Sequence, residues 1–348
     1  MKERRPFDLV LCINFGEQVM MPDSPLTCLV LSGGLGLGAY HGGAFEQLHR
    51  QAIPLDWVAG SSAGAISAAL IAGSPPELRV SNLRSFWQAD ATFGAENSDS
   101  SRHGFAWMNS ISTHLFGRAG FFYPRLPLPT PRFDGLYDLA PARDRLRELI
   151  DFGRLNNGSL RVTIVATDLQ SGDPVFFHSQ LETIRMDHLL ASAGFLPEFG
   201  PVLIEDKWLG DGGFSLNAPF DPILEVQRPV HLYIVDLFAR DGPVPDGLEA
   251  AAERKNDLLF GNQTYQRLRY AVEARRLRAQ LEGAAGEDSI YLISYRPGLE
   301  EAGPDKSFDL SRTAMTQRWR AGFLDLEHID PTCARKDGIH VVRRAASK

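Results

Sequence analysis

"LDWVAGSSAGAISAALIAG", residues 55–73, decides the fold. Its first part, "LDWVAG" (55–60), is short and apolar and ends on glycine, the pattern of a buried strand. Its second part, "SAGAISAALIAG" (62–73), runs through small and apolar residues without a breaker before Gly73 and reads as a helix. A strand that passes at once into a helix leaves a sharp turn. That turn holds Gly60-Ser61-Ser62-Ala63-Gly64, a G-x-S-x-G arrangement. Small neighbours relieve the crowding there, the serine hydroxyl is lifted above the sheet, and the positive end of the helix faces it.

Upstream, "TCLVLSG" (27–33) reads as another buried strand, and "AYHGGAFEQLHRQ" (39–51) as a helix. Between them Gly33, Gly34, Gly36 and Gly38 crowd one loop, where backbone N–H groups can face an anion. "PELRVSNLRSFWQ" (76–88) adds an amphipathic helix with proline at its start. This β-α-β-α order with short connections predicts an α/β fold with parallel strands. Residues 91–137 break the pattern. They are rich in Phe, Pro and Gly toward their end, and a stretch so long is expected to be a cover over a site or an ordered surface loop. A helix over "DLAPARDRLRELIDFG" follows, then strands at 160–169 and 173–179, a hairpin at 201–213 and a core strand at 229–239. From about 244 the chain becomes charged and helical, with a kink expected near Gly261. A strand at 289–297 and a closing helix at 309–328, capped by Asp309 or Ser311, complete it. The expected division is an N-terminal segment 1–25, an α/β domain 26–240 carrying the cover 91–137, and a mainly helical extension 241–348.

The 348 residues, 44% hydrophobic and 23% charged, are enough for one large domain with a sizeable core. The net charge of −7 argues against a nucleic-acid partner and against general attraction to anionic membranes. Three cysteines, Cys12, Cys28 and Cys333, suit neither a metal site nor a disulfide framework, so a reducing, cytoplasmic setting is expected. The basic start and short apolar run at the N-terminus are broken by Asn14 and Glu17 and followed by no small-x-small site, so no secretion signal is expected.

Which anion would the glycine loop hold? Gly34-x-Gly36-x-x-Ala39 fits a dinucleotide pattern, but that reading needs a ribose-binding acid at the end of the second strand. Asp56 only begins that strand, and its end holds the serine turn. The other anion is the oxyanion of an ester attacked by Ser62. A serine needs a base. His231, His328 and His340 are in the order expected of a triad, yet none sits on a glycine-supported turn. Asp211, in "WLGDGG", follows a strand and stands on a turn rich in glycine.

Taken together, "SGGLGLGAY", "GSSAG" and "DGG" resemble the motifs of the patatin-like phospholipase family, as do "VATDLQSG", "ASAGFLPEF" and Asn217-Ala218-Pro219. The resemblance covers roughly residues 26–240. The tail "FDLSRTAMTQRWRAGFLD" resembles a bacterial subgroup with an added C-terminal domain of unknown function. It implies a three-layer α/β/α sheet and a serine-aspartate dyad, with Ser62 as nucleophile, Asp211 as its proton acceptor and Gly60 and Gly64 flanking the elbow. It implies an oxyanion hole in the loop of Gly33, Gly34, Leu35 and Gly36, with no cofactor and no metal. Two positions depart from the family pattern. Leu37 stands where the loop usually carries Arg or Lys, and Leu35 replaces a glycine. The missing cation weakens the phospholipid expectation more than the ester-hydrolase one.

The expected function is thus a serine acyl hydrolase acting on a lipid or other acyl ester, with chains lying under Phe105, Trp107, Phe116, Phe121 and Phe122 or with those rings simply packing the loop. Alternatives are a catalytically inactive lipid-binding or regulatory module of the same fold and, further off, a dinucleotide-dependent oxidoreductase. Expected partners are the lipid or ester substrate, a membrane surface touched transiently, and a second copy bound through the C-terminal helices.

Overall fold

Alternation along β1 (Leu26–Leu31) shows how the layers are built. Leu29 and Leu31 enter the apolar cluster on one face of the sheet, and Cys28 and Val30 the cluster on the other. A strand buried on both faces belongs in the middle of a three-layer stack, and each such leucine contributes about 2 kcal/mol on full burial. The computed structural model describes residues 24–88, 111–125, 133–282, 288–297, 306–327, 329, 335–336 and 338–342. Most of the N-terminal segment and much of the 91–137 cover, including Phe105 and Trp107, lie outside them, as do Cys12, Cys333 and His328.

After β1 come α1 (Ala39–Arg50), β2 (Trp57–Ser61), α2 (Ala63–Ala72) and α3 (Arg79–Trp87). A small ladder pairs β3 (Tyr123–Pro124) with β4 (Tyr137–Asp138). The main sheet continues through β5 (Arg161–Asp168), β6 (Pro174–His178), β7 (Val202–Ile204), β8 (Lys207–Asp211), β9 (Val230–Asp236), β10 (Ser289–Ser294), β11 (Arg335–Lys336) and β12 (Ile339–Val342). Among the described residues it has ten strands, in the order β11-β12-β10-β9-β1-β2-β5-β8-β7, with β6 on the remaining edge of β5. From β12 to β5 neighbours run parallel, while β6, β7, β8 and β11 pair antiparallel. The predicted α/β/α architecture is present, with a largely helical C-terminal region that also extends the sheet through β10 and β12.

Two helices of that region cover opposite faces. The long helix Leu248–Glu282 presents Thr264, Tyr265, Leu268 and Val272, a stripe at helical spacing. It runs unbroken through Gly261. Gly261 lets it cross closely over the backbone, because a Cβ there would stand 2.6 Å from the Phe238 carbonyl. The closing helix Arg312–Glu327 lies on α1. A Cβ on Gly43 would meet the Trp319 carbonyl at 1.8 Å, and one on Gly322 the Tyr40 carbonyl at 2.1 Å, so glycine on both helices sets the contact. Of the two expected caps, Ser311 fills the role: its hydroxyl accepts from Ala314 N at 3.2 Å, while the Asp309 carboxylate holds Ser311 N at 3.0 Å.

Phe121 and Phe122 are buried in the core, Phe122 against Tyr137, Phe199 and Phe308, whereas Phe116 is 71% exposed. For the first two rings, packing is the role. No described helix is long and apolar enough to cross a membrane.

Candidate functional site

Ser62 follows the last residue of β2 with φ 54°, in the left-handed region that a non-glycine residue occupies only under strain. Its own N–H donates to Ser192 Oγ at 2.9 Å, and Ser192 Oγ donates to the Val165 carbonyl at 2.6 Å, so the strained residue is tied to β5. The elbow glycines are required by space. A Cβ on Gly60 would lie 2.2 Å from the Gly64 carbonyl oxygen, and one on Gly64 only 1.9 Å from the Leu31 carbonyl oxygen. Both flanking positions are therefore glycine because main chain passes within contact distance.

Strand register brings Asp211 to this turn. Val165 pairs with Ser61 and with Phe176, and Ala166 pairs with Asp211 and with Val175. Because β6 occupies one edge of β5, β2 and β8 share the other and meet end to end. Ser61 and Asp211 thus stand on successive rungs. A Cβ on Gly212 would come within 2.6 Å of Ser61 Oγ and 2.4 Å of the Val165 carbonyl. Neither Gly212 nor Gly213 has a positive φ, so the glycines of "DGG" serve close approach rather than a left-handed turn.

Asp211 is buried, at 2% exposure. Burial raises its carboxyl from 3.8 to about 7, against hydrogen bonds from the Ser62 hydroxyl and the Gly213 N–H, which lower it. Oδ1 accepts from Gly213 N at 2.7 Å. Oδ2 meets no donor at full hydrogen-bond geometry, so the serine contact is looser than the glycine one. No histidine hydrogen-bonds either residue among the described residues. His231 pairs with Thr27 and Ser289 near the start of β9, away from the strand ends that carry the serine, and His340 stacks on Tyr291 at the sheet's far side.

The glycine loop lies against the elbow. A Cβ on Gly33 would stand 3.1 Å from Ser62 Cβ and 2.6 Å from Asn217 Oδ1. Gly33 N donates to the Asn217 carbonyl at 3.0 Å, so Gly33 contributes absence of a side chain rather than a free donor. Leu37 N closes a turn on the Gly34 carbonyl at 3.0 Å. Among the described residues, the N–H groups of Gly34, Leu35 and Gly36 have no acceptor. Leu35 has φ 47°, which accounts for the glycine the family pattern carries there. Leu37 is fully buried in the core. Asp56, the acid weighed for a ribose, accepts Thr27 N at 2.8 Å at the start of β2, the end of the strand opposite the loop. At that position Asp56 stands away from the glycine loop, where a ribose acid would be needed.

An aromatic wall that the sequence did not single out flanks the Asp211 turn. Phe195 stacks on Phe214 at 5.1 Å and meets Phe260 at 6.4 Å, and Phe260 meets Phe238 at 4.9 Å. A Cβ on Gly213 would lie 3.7 Å from Phe260, a residue of the long C-terminal helix. The four rings come from four separate segments, so no local pattern announces them.

A family model described as patatin-like phospholipase matches residues 29–224. No curated protein shows a significant match to the chain. Among solved structures, the chain is similar to VipD from Legionella pneumophila, at 13% identity and a TM-score of 0.37, over 85% of this chain and 67% of that one. It is also similar to ExoU of the Pseudomonas aeruginosa type III secretion system, solved with SpcU, at 21% identity and a TM-score of 0.29, over 72% of this chain and 53% of that one.

Proposed function

Since the chain belongs to the patatin-like phospholipase family and so among lipid hydrolases, we propose that it cleaves carboxylic esters of lipids or other acyl compounds with a Ser62–Asp211 dyad. The observation that carries this is the meeting of β2 and β8 along one edge of β5, which sets a strained serine beside a buried carboxylate.

The steps follow from the groups present. Asp211 takes the proton of the Ser62 hydroxyl as the oxygen attacks the ester carbonyl. A carboxyl raised to about 7 is well matched to that exchange near neutrality. The carbonyl π electrons move to oxygen, and the N–H groups of Gly34, Leu35 and Gly36, which lack other acceptors, hold the charge. Donors of this kind are each worth about 3 kcal/mol of barrier. The tetrahedral species collapses, the alkoxide leaves with the proton from Asp211, and Ser62 stays acylated. Water then gives a proton to Asp211 as it attacks the acyl carbonyl; the bond to Ser62 Oγ breaks, Ser62 takes that proton back from Asp211, and the free acid leaves.

The wall of Phe195, Phe214, Phe238 and Phe260 supports an apolar acyl group, and the buried Leu37 offers no charge to a phosphate. The exposed Leu115, Phe116 and Leu136 support brief contact with a lipid surface. A fluorophosphonate probe tests the nucleophile, beside turnover of p-nitrophenyl esters of increasing chain length. Labelling of the wild type that is lost in Ser62→Ala is expected. Labelling that persists in the variant would move the nucleophile elsewhere, and no labelling of the wild type would favour a non-catalytic lipid-binding module.

A further inference from the structure

Resting on that hydrolase reading, we propose that Arg318, well outside the family-matched segment, is a positioning residue for the oxyanion loop. Arg318 sits on the buried face of the closing helix with 1% of its surface exposed. Nη1 donates to the Gly36 carbonyl at 3.1 Å and to the Asp309 carbonyl at 2.7 Å, and Nη2 donates to the Lys306 carbonyl at 2.7 Å. The guanidinium therefore joins the glycine loop to a turn some 270 residues later in the chain (residues 306–309).

Filling space does not require this residue. Methionine or leucine would pack a buried helix face without desolvating a charge, which is expensive unless the donors are met. What arginine adds is a rigid fork that holds several acceptors in fixed directions. Here the peptide between Gly36 and Leu37 is held from both ends: its carbonyl by Arg318, its N–H by the Gly34 carbonyl. That fixes the turn whose N–H groups face the developing charge. The turn at 306–310 also presses on the loop directly, since a Cβ on Gly36 would meet Leu310 Cδ2 at 2.5 Å and the Ser307 carbonyl at 2.7 Å. Position 37, on the loop itself, is a buried leucine. A cation reaches the loop instead from the closing helix, through the bond of Arg318 to the Gly36 carbonyl. The C-terminal region is in this way part of the catalytic apparatus.

The test uses the full-length chain and two variants, Arg318→Lys and Arg318→Gln, assayed well below their melting temperatures. Wild-type fluorophosphonate labelling at Ser62 establishes the hydrolase reading separately. Positioning predicts that kcat for a short-chain p-nitrophenyl ester falls about a hundredfold in Arg318→Gln and about tenfold in Arg318→Lys, with KM little changed, as small misplacement of an oxyanion donor does. Amide exchange over residues 34–38 should quicken in both variants while exchange in β1 and β9 stays slow. Should Arg318→Gln fail to fold, Arg318→Lys carries the test alone. Wild-type kcat with wild-type exchange at 34–38 in a folded Arg318→Lys overturns the proposal. So does a loss of kcat in either variant that tracks lost global stability, with exchange rising everywhere.

Discussion

Replacing Asp211 by asparagine should stabilise the protein while disabling it. The carboxyl is buried and its pKa rises from 3.8 to about 7 on folding. A carboxyl raised in this way favours the native state most fully at low pH, and that contribution is lost as pH rises through about 7. The displacement of about three units corresponds to about 4 kcal/mol at alkaline pH. Asparagine keeps the acceptor for Gly213 N, which is bound at 2.7 Å, and removes the ionisation. Its new N–H groups must find partners beside Ser62, and an unmet one returns about 1–3 kcal/mol. The amide contribution does not vary with pH, so the informative quantity is the change in the stability gap. Urea unfolding of both proteins should show the variant gaining about 3 kcal/mol on the wild type between pH 5 and pH 8. Ester turnover should fall about 10²–10⁴-fold in the same variant, the usual contribution of a proton acceptor. Stability curves that stay parallel across that pH range would refute the buried, raised carboxyl, and with it the physical basis for Asp211 as the base.

The remaining predictions concern the same framework. Wild-type kcat/KM should rise with pH and be half-maximal near 7, because Asp211 must be ionised to accept the serine proton; a flat profile from pH 5 to pH 9 would contradict that assignment. Gly64→Ala should lose about 4 kcal/mol or more, since its Cβ would lie 1.9 Å from the Leu31 carbonyl oxygen, and a variant melting with the wild type would show that the elbow is looser than described. Glu46→Ala should lose about 2–3 kcal/mol, chiefly by leaving the buried Trp319 Nε1 without its 2.7 Å acceptor. Arg50 and Arg84, 64% and 46% exposed, add little. Thermal melts of a Glu46→Ala, Trp319→Phe cycle should therefore show strong coupling, and additivity would place the loss elsewhere.

The elements that carry the nucleophile were legible because their signals are local. The apolar run of β1, the glycine loop, the strand-to-helix passage at Gly60–Gly64 and the small-residue helix after it are each set by neighbours a few positions apart. The same holds for Ser311 as a cap. No reason is legible in the sequence where a residue's role lies across the molecule. Gly261 could be read only as a break in helix propensity, whereas it accommodates the Phe238 backbone. The glycines after Asp211 marked a turn that only glycine allows, and the structure gives the reason: they make room for Val165 and Ser61. For Phe121 and Phe122 the sequence left a substrate cover and simple packing open, and both rings lie in the core, Phe121 against Phe86 and Trp87 and Phe122 against Phe199 and Phe308.

By itself, then, the sequence determined which turns can form, which strands are buried on both faces, and that a serine stands on a strained elbow after a glycine loop. It also marked Asp211 as an acid on a glycine turn. Only the tertiary structure decided that β8 arrives end to end with β2 and sets that acid one rung from Ser61. It alone decided that Gly33 has already given its N–H to Asn217, that Phe260 walls the turn, and that Arg318 grips Gly36. The division has a physical origin. Turn and periodicity preferences act over a few bonds and leave a trace in composition. Contacts between residues hundreds of positions apart depend on how whole layers pack, and packing leaves no periodic mark on the chain.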